Sequence, residues 1–243
     1  MPSSDVDALG TPIPEDEIPN EYARIVASCT EAVWGEMESE DAYRRRATPH
    51  VPASLAIECL SQLWGYPTKV GDDVAEALDG LADACADDAE RAGASLALHD
   101  AFSAYVESTE IIVGASAAQL DYTRLFIGSF KMYAPPYASY YLDGADQVFG
   151  PTAAALEDVY AQFGLEVSRS GHEMPDHIRN ILFFMSLLAK SFEQTGSRDF
   201  ALAYTDFKED FFDSWIEQFA DKVHRYSEYP FYPELVDVTR KML

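Results

Sequence analysis

The sequence predicts an all-α protein, and two observations carry this prediction. From residue 19 onward, apolar residues recur at intervals of three and four, the spacing of one face of an α-helix. Alternation of apolar and polar residues over the length of a strand is essentially absent. The apolar runs with helical spacing are, in order, Val74/Leu78/Leu81/Cys85, Leu98/Phe102/Tyr105/Val106, Leu156/Val159/Tyr160/Phe163, Phe200/Tyr204/Phe207/Phe211/Trp215 and Phe231/Leu235/Val238/Met242.

The segments around these predicted helices have distinct compositions. Residues 1–18 are rich in Pro, Asp and Glu, so we expect a loose tail. The main basic cluster, YRRRATPHVP at residues 43–52, contains two prolines and is expected at a helix end followed by a linker. Residues 72–90 are acidic at their polar positions, which predicts a solvated helix face. Residues 130–151 are predicted to form one long irregular segment, and their many aromatic residues argue against disorder there.

Charge limits the classes of partner. The chain of 243 residues has a formal net charge of −25, which argues against a general nucleic-acid binder, because such a protein needs basic groups to replace counterions. The same charge favours a basic peptide or protein as partner. Solubility, or adaptation to salt, explains the acidity equally well, and both interpretations stay open.

The cysteines and the apolar runs bear on location. Cys29, Cys59 and Cys85 are widely spaced, so free thiols in a reducing compartment are expected. The first 20 residues lack the basic and apolar regions of a secretory signal, and no apolar run approaches the ~20 residues that span a bilayer. We therefore expect a soluble cytoplasmic protein without membrane insertion.

The stretch GHEMPDHIRNILFFMSLLAK, residues 171–190, concentrates polar groups before an apolar run. His172 and His177 do not have the spacing of a His-Glu-x-x-His zinc motif, and no Glu-x-x-His pair of a di-iron bundle occurs in the chain. Asp176 and His177 are adjacent, so on a helix they would point about 100° apart and form no dyad. No nucleophile motif or phosphate-binding loop occurs. We predict no catalytic residue, no metal and no cofactor.

The same stretch predicts the start of a central helix. Pro175 is expected at the first helical position, with Glu173 and Asp176 near the positive end of the helix dipole. The apolar residues that follow predict a helix buried nearly all round. His177, flanked by carboxylates, then indicates a place where the core opens to solvent.

Four blocks, in this order, resemble the TorD/DmsD/NarJ family of cytoplasmic chaperones for exported molybdenum-containing oxidoreductases. They are LDYTRLFIG (120–128), APPYASYYLDG (134–144), EMPDHIRNILFFM (173–185) and YPFYPEL (229–235). The resemblance spans roughly residues 53–243. It implies a single globular all-helical domain of the TorD type with long interhelical loops, at residues 46–243, after an N-terminal extension at residues 1–45 that is partly disordered.

The resemblance also implies a partner and a site. Such a chaperone binds the twin-arginine signal peptide of the apo catalytic subunit of a molybdopterin oxidoreductase, and delays export until the cofactor is inserted. Carboxylates beside aromatic residues also suit a ligand with guanidinium groups and an apolar run. The residues that match the family's peptide-binding motifs are Tyr122, Leu125, Phe126, Pro136, Tyr137, Glu173, Asp176 and His177.

Two alternatives from other classes stay open. One is a nucleotide- or small-molecule-dependent enzyme that uses the Asp-His site, and the other is an acidic helical adaptor without peptide specificity. The sequence does not name the partner reductase or its substrate. The protein is expected to be a monomer or a domain-swapped dimer.

Overall fold

The computed structural model describes residues 40–66, 72–107, 117–128, 131–144, 148, 150–167 and 174–243. Within these ranges every regular element is helical, apart from a single isolated β-bridge between Tyr137 and His177. The all-α prediction is therefore confirmed. The α-helices are α1 (Glu40–Arg45), α2 (Ser54–Leu63), α3 (Asp72–Ala84), α4 (Ala89–Glu107), α5 (Ala117–Tyr122), α6 (Ala138–Leu142), α7 (Pro151–Gln162), α8 (Ile178–Thr195), α9 (Arg198–Lys208), α10 (Ser214–Tyr226) and α11 (Phe231–Met242).

Helix α8 lies at the centre of the fold, where α2 and α9 pack along it. Its apolar residues at intervals of three and four face the core, and Ile181, Leu182 and Met185 are fully buried. The expectation of burial nearly all round is wrong for one edge, because Phe183 remains 37% exposed. Helix α8 is therefore amphipathic, with a wide buried face and one exposed edge.

The aromatic stripe predicted in the last third runs along α9, a π-helical turn (Glu209–Asp213) and α10, which follow one another without a break. All five of its members are buried, as predicted. Helical periodicity alone did not reveal the π-turn. A π-turn inserts one residue into the helix, and the Trp215 indole donates a hydrogen bond to the Phe211 carbonyl across it at 2.6 Å.

The C-terminal helix α11 closes the core against α4 and α10. The Trp64 ring, 1% exposed, donates through its indole N–H to the Thr239 hydroxyl at 3.1 Å. The same ring lies 5.9 Å from Phe126 and 5.3 Å from Phe219, between ring centroids. Burial of Trp64 thus joins helices that are far apart in the sequence, and its single polar atom is satisfied.

The basic cluster of residues 43–46 is attached to α9. The Tyr43 hydroxyl donates to Asp199 at 2.7 Å, and the Arg46 guanidinium pairs with both carboxylate oxygens of Asp206. Arg198 donates in turn to the carbonyl of Tyr43 at 2.6 Å and to that of Arg46. Helix α1 ends at Arg45 and residues 47–53 are not helical, in agreement with the predicted helix end and linker.

The segment predicted as one long irregular stretch, residues 130–151, is partly helical. Residues 138–142 form helix α6, so the expectation of a continuous loop is wrong. The turn after it is held by Asp143, whose carboxylate accepts hydrogen bonds from the Thr152 backbone N–H at 3.0 Å and from its hydroxyl. Asp143 therefore fixes the entry into α7, which has Pro151 in its first turn.

Two of the predicted free thiols lie in the described part of the chain. Cys59 and Cys85 are free and buried, and burial raises the pKa of the Cys59 thiol to about 11. Cys29 lies outside the described residues. Among the described helices, none combines the length and the apolar character that crossing a bilayer requires.

Candidate functional site

The predicted site residues fall into two groups in the structure. Tyr122, Leu125 and Phe126 lie on α5 and the turn after it, against the core. The second group joins Pro136 and Tyr137 to Asp176 and His177, just before α8. Glu173 lies outside the described residues, so its predicted role stays a prediction.

Backbone hydrogen bonds hold the second group together. The N–H of Ala138 donates to the Asp176 carbonyl at 3.0 Å, and the N–H of Ile178 donates to the Pro136 carbonyl at 2.9 Å. Between them, Tyr137 and His177 form the isolated β-bridge, and their rings meet edge to face at 5.3 Å. The short ladder satisfies backbone groups that would otherwise be buried without partners. We call this unit, residues 134–139 with 174–178, the loop latch.

Asp176 is the buried charge of the loop latch, with no exposed surface. Its Oδ2 accepts hydrogen bonds from the Ser139 N–H at 2.9 Å and from the Ser139 hydroxyl. Its Oδ1 has no hydrogen-bond partner among the described residues. Burial raises the pKa of this carboxyl against the opposing effect of the Ser139 hydrogen bonds. Asp176 thus positions the loop in this conformation.

His177 caps α8. Its Nδ1 accepts a hydrogen bond from the Arg179 N–H at 3.1 Å, which satisfies one of the free donors at the start of the helix. The ring is only 2% exposed, so the expectation that the core opens to solvent here is wrong. Burial lowers the pKa of His177 to about 3, with a smaller contribution from the Arg179 charge. The ring is therefore neutral at pH 7.

The predicted helix start is also corrected. Helix α8 begins at Ile178, whereas Pro175 and Asp176 form a turn before it. The Pro175 carbonyl accepts a hydrogen bond from the Tyr160 hydroxyl at 3.0 Å. Pro175 is therefore hydrogen-bonded to α7, and the Asp176 carboxylate is hydrogen-bonded to Ser139. Neither residue lies in the first turn of α8, where both were predicted.

The first group lies in an aromatic cluster. Tyr122, Leu125 and Phe126 are 4%, 0% and 1% exposed. The Phe126 ring lies 5.0 Å from Tyr122 and 5.0 Å from Tyr232, both edge to face. These side chains lie in the core and do not reach the surface.

Of the seven predicted site residues that the structure describes, Tyr137 alone is partly exposed. Sequence reasoning missed Ser139, which lies in the quoted APPYASYYLDG block but has no helical or catalytic pattern of its own. Its importance comes from a contact with Asp176 across 37 positions. Within the described ranges, no three His, Cys, Asp or Glu side chains are arranged to hold a metal ion.

The loop latch leads to a stability prediction. Asp176→Ala should lower the free energy of unfolding by about 1–3 kcal/mol, because the buried Ser139 N–H loses its acceptor. Asp176→Asn should cost less, since the amide oxygen still accepts that bond and a buried charge is removed. Chemical denaturation at pH 7 measures both. Ser139→Ala is the control that removes only the hydroxyl bond. A greater loss of stability in Asp176→Asn than in Asp176→Ala would contradict this explanation.

Comparison with known proteins places the chain in a family. A family model described as nitrate reductase delta subunit matches residues 69–222. The chain is 33% identical over 121 residues to a protein from Psychrobacter sp. named chaperone protein TorD, and 28% identical over 120 residues to a Tat proofreading chaperone DmsD from Salmonella typhimurium. Each match covers 49% of this chain and 55% of the relative, so the chain spans about half the length of these relatives.

A solved structure supports the same assignment. A protein described as a candidate redox enzyme maturation protein from Archaeoglobus fulgidus has a TM-score of 0.51 and 26% identity. The match covers 82% of this chain and 98% of that one. The relatives' names describe chaperones, in agreement with the prediction that the chain is not an enzyme. The family model covers well over half of the chain, and the chain therefore belongs to the nitrate reductase delta subunit family, the TorD/DmsD/NarJ family that its four motifs predicted.

Proposed function

We propose that this protein is a cytoplasmic chaperone that binds the twin-arginine signal peptide of a molybdenum-containing oxidoreductase subunit and supports cofactor insertion before export. The observation that carries the proposal is family membership, with relatives that are named TorD chaperones and Tat proofreading chaperones. The partner is the apo catalytic subunit, and the chaperone acts as a monomer or a domain-swapped dimer.

Charge supports this choice of ligand. A net charge of −25 attracts a peptide that carries paired arginines. Guanidinium groups pair with carboxylates and stack on aromatic rings, and the chain contains 14 tyrosines. The apolar run of the signal peptide would then be bound by apolar side chains near the carboxylates that pair with the arginines.

The predicted site residues have different roles in this proposal. Tyr137 contacts the peptide directly, because this residue is the partly exposed member of the loop latch among the predicted site residues. Asp176 and His177 act as positioning residues that hold residues 134–139 in place. Tyr122, Leu125 and Phe126 support the same region from the core, and Glu173 supplies a carboxylate to the arginines.

Binding of a synthetic peptide tests the proposal. The probe carries two consecutive arginines followed by an apolar run of about 12 residues, the size of a signal-peptide core. We expect saturable binding by titration calorimetry that weakens several-fold between roughly 0.1 M and 1 M salt, as the screening length falls from about 10 Å to about 3 Å.

The control peptide has the same composition in scrambled order. If the scrambled peptide binds as tightly as the ordered one, the protein recognises charge without sequence, and the acidic adaptor becomes the better description. Affinity that does not change with salt would show that carboxylates are not the receptors for arginine.

A further inference from the structure

Helices α4 and α11 pack against each other, and a groove of about 450 Å³ opens between the first half of α4 and α11. Its apolar lining consists of small or aliphatic residues, namely Ala89, Gly93, Ala94, Ala97 and Val238. We call it the α4–α11 groove. None of the predicted peptide-binding residues lines it, so the groove is separate from the loop latch.

Internal packing does not explain the glycine at position 93. Gly93 lies inside α4, where glycine is less stable than alanine because it loses more backbone freedom on folding. A Cβ at Gly93 would meet no described atom within 4 Å. Gly80 on α3 is the contrasting case, since a Cβ there would lie 3.0 Å from the Cys59 sulfur. Packing therefore accounts for Gly80, whereas the missing side chain at Gly93 serves only to leave the groove open.

The apolar lining has a spacing that suits a helix as occupant. Ala89, Gly93 and Ala97 follow one another at intervals of four, so they form one row along α4. Helices pack by fitting such rows against each other, and a row of small residues lets a second helix approach closely. Leu96, which is 62% exposed, lies one turn from Gly93 and offers apolar area on the same side of α4.

The charged lining is predominantly acidic. Glu90, Glu234 and Asp237 supply three carboxylates, and Lys241 supplies one ammonium group. The Lys241 ammonium pairs with Glu90 at 3.1 Å, and Asp237 pairs with basic side chains on α10 and α11. Glu234 has no ion-pair partner within the described part of the chain. A helix with basic residues beside an apolar face would complement this charge.

The chain's own acidity disfavours two other occupants. Residues 1–39 contain nine acidic residues and one basic residue, so the N-terminal extension would bring like charge to the groove. A second copy of the chain would bring a net charge of −25. Like charges placed against each other oppose association, so the charge complementarity points to a different, basic partner.

We propose that the α4–α11 groove is a docking surface for a helix of a partner protein, a helix that carries lysine or arginine beside a face of small and aliphatic residues. Gly93 and the neighbouring alanines receive the backbone of that helix at close range, and Glu234 pairs with one of its basic side chains. This proposal goes beyond the proposed function and does not depend on it, because the two sites share no residue.

A synthetic helix tests the groove. The probe has about 21 residues, with alanine and leucine at the a and d positions of its heptads and lysine at the e and g positions. We expect saturable binding by titration calorimetry. The Gly93→Leu variant should bind at least about tenfold more weakly, because the new side chain fills the groove. Leucine forms helices better than glycine, so the melting temperature of this variant should not fall below that of wild type.

Matched variants separate the groove from general effects of bulk and charge. Ala82→Leu adds similar bulk at an exposed position of α3 outside the groove, and should bind within about twofold of wild type. Glu234→Gln should weaken binding a few-fold. Glu76→Gln removes the same charge from the exposed side of α3, and should leave the affinity close to that of wild type.

Four results would overturn the docking surface. The first is a wild-type protein that does not bind the probe, and the second is wild-type affinity in Gly93→Leu. The third is an equal loss of affinity in Glu234→Gln and Glu76→Gln, which would show attraction to the acidic chain as a whole. The fourth is equally tight binding of a probe whose lysines are replaced by glutamates.

Discussion

Phe126→Ala is expected to lower the free energy of unfolding by about 3–5 kcal/mol, the cost of removing a buried aromatic side chain and leaving a cavity. The Phe126 ring is 1% exposed and lies against Trp64, Tyr122 and Tyr232. These rings join α5 to the residue after α2 and to α11, so the loss weakens packing between distant parts of the chain. Denaturant titration of the wild-type protein and of the Phe126→Ala variant at pH 7 measures the difference in unfolding free energy.

The neighbouring residue provides a matched control. Ile127→Ala removes an apolar side chain that is 50% exposed, so it should lower stability by less than ~1 kcal/mol. The two variants therefore compare the buried and the exposed face of this segment at adjacent positions. Equal losses of stability in the two variants would show that the inward and outward faces of this segment are assigned wrongly.

Acidification should destabilise the protein through His177. Its pKa in the folded protein is about 3, because burial disfavours the charged ring, against 6.5 for the ordinary group. The unfolded chain thus binds more protons between these values, and stability falls as the pH drops below 6.5. The His177 contribution to unfolding free energy should decrease by about 2 kcal/mol between pH 7 and pH 5.

The measurement compares this pH dependence in two variants. His177→Asn keeps an acceptor for the helix cap, so it should remove most of the ~2 kcal/mol difference between pH 7 and pH 5. His99→Asn changes an exposed histidine on α4 and should leave the difference as in wild type. If His177→Asn loses as much stability between pH 7 and pH 5 as wild type does, a group other than His177 is responsible for the loss.

The burial of the predicted site changes how its variants are to be interpreted. If a Leu125 or Phe126 variant lost the proposed peptide binding, loss of packing would be sufficient to explain it, because neither side chain reaches solvent. The same holds for Asp176 and His177, which hold the loop latch together. Binding assays on these residues therefore require unfolding measurements on the same samples.

Helical periodicity predicted the core well because it depends on local geometry. The stripe from Phe200 to Trp215 was predicted from spacing alone, and each member is buried. The start of α8 was mispredicted for the opposite reason. The preference of proline for the first helical position is local. In the structure, however, Pro175 is bound by Tyr160, 15 residues away in the sequence, and Asp176 is bound by Ser139, 37 residues away.

The site shows the same division between local pattern and distant contact. The order of the four motifs identified the family, because motifs record which residue types occur along the chain. Motifs do not state which side of a helix faces the core. Leu125 and Phe126 are inside, and Leu120 and Ile127 are outside, because Trp64 and Tyr232 pack against one side of the segment only.

Composition gives the acidic charge, and periodicity and the order of motifs predict the all-α class, the buried aromatic stripe and the family. The helix cap formed by His177, the hydrogen bonds between Asp176 and Ser139, and the exposure of Leu120 and Ile127 follow from packing between distant parts of the chain. Burial, and the pKa shifts that follow from it, depend on which distant residues pack together, and no local pattern in the chain records that.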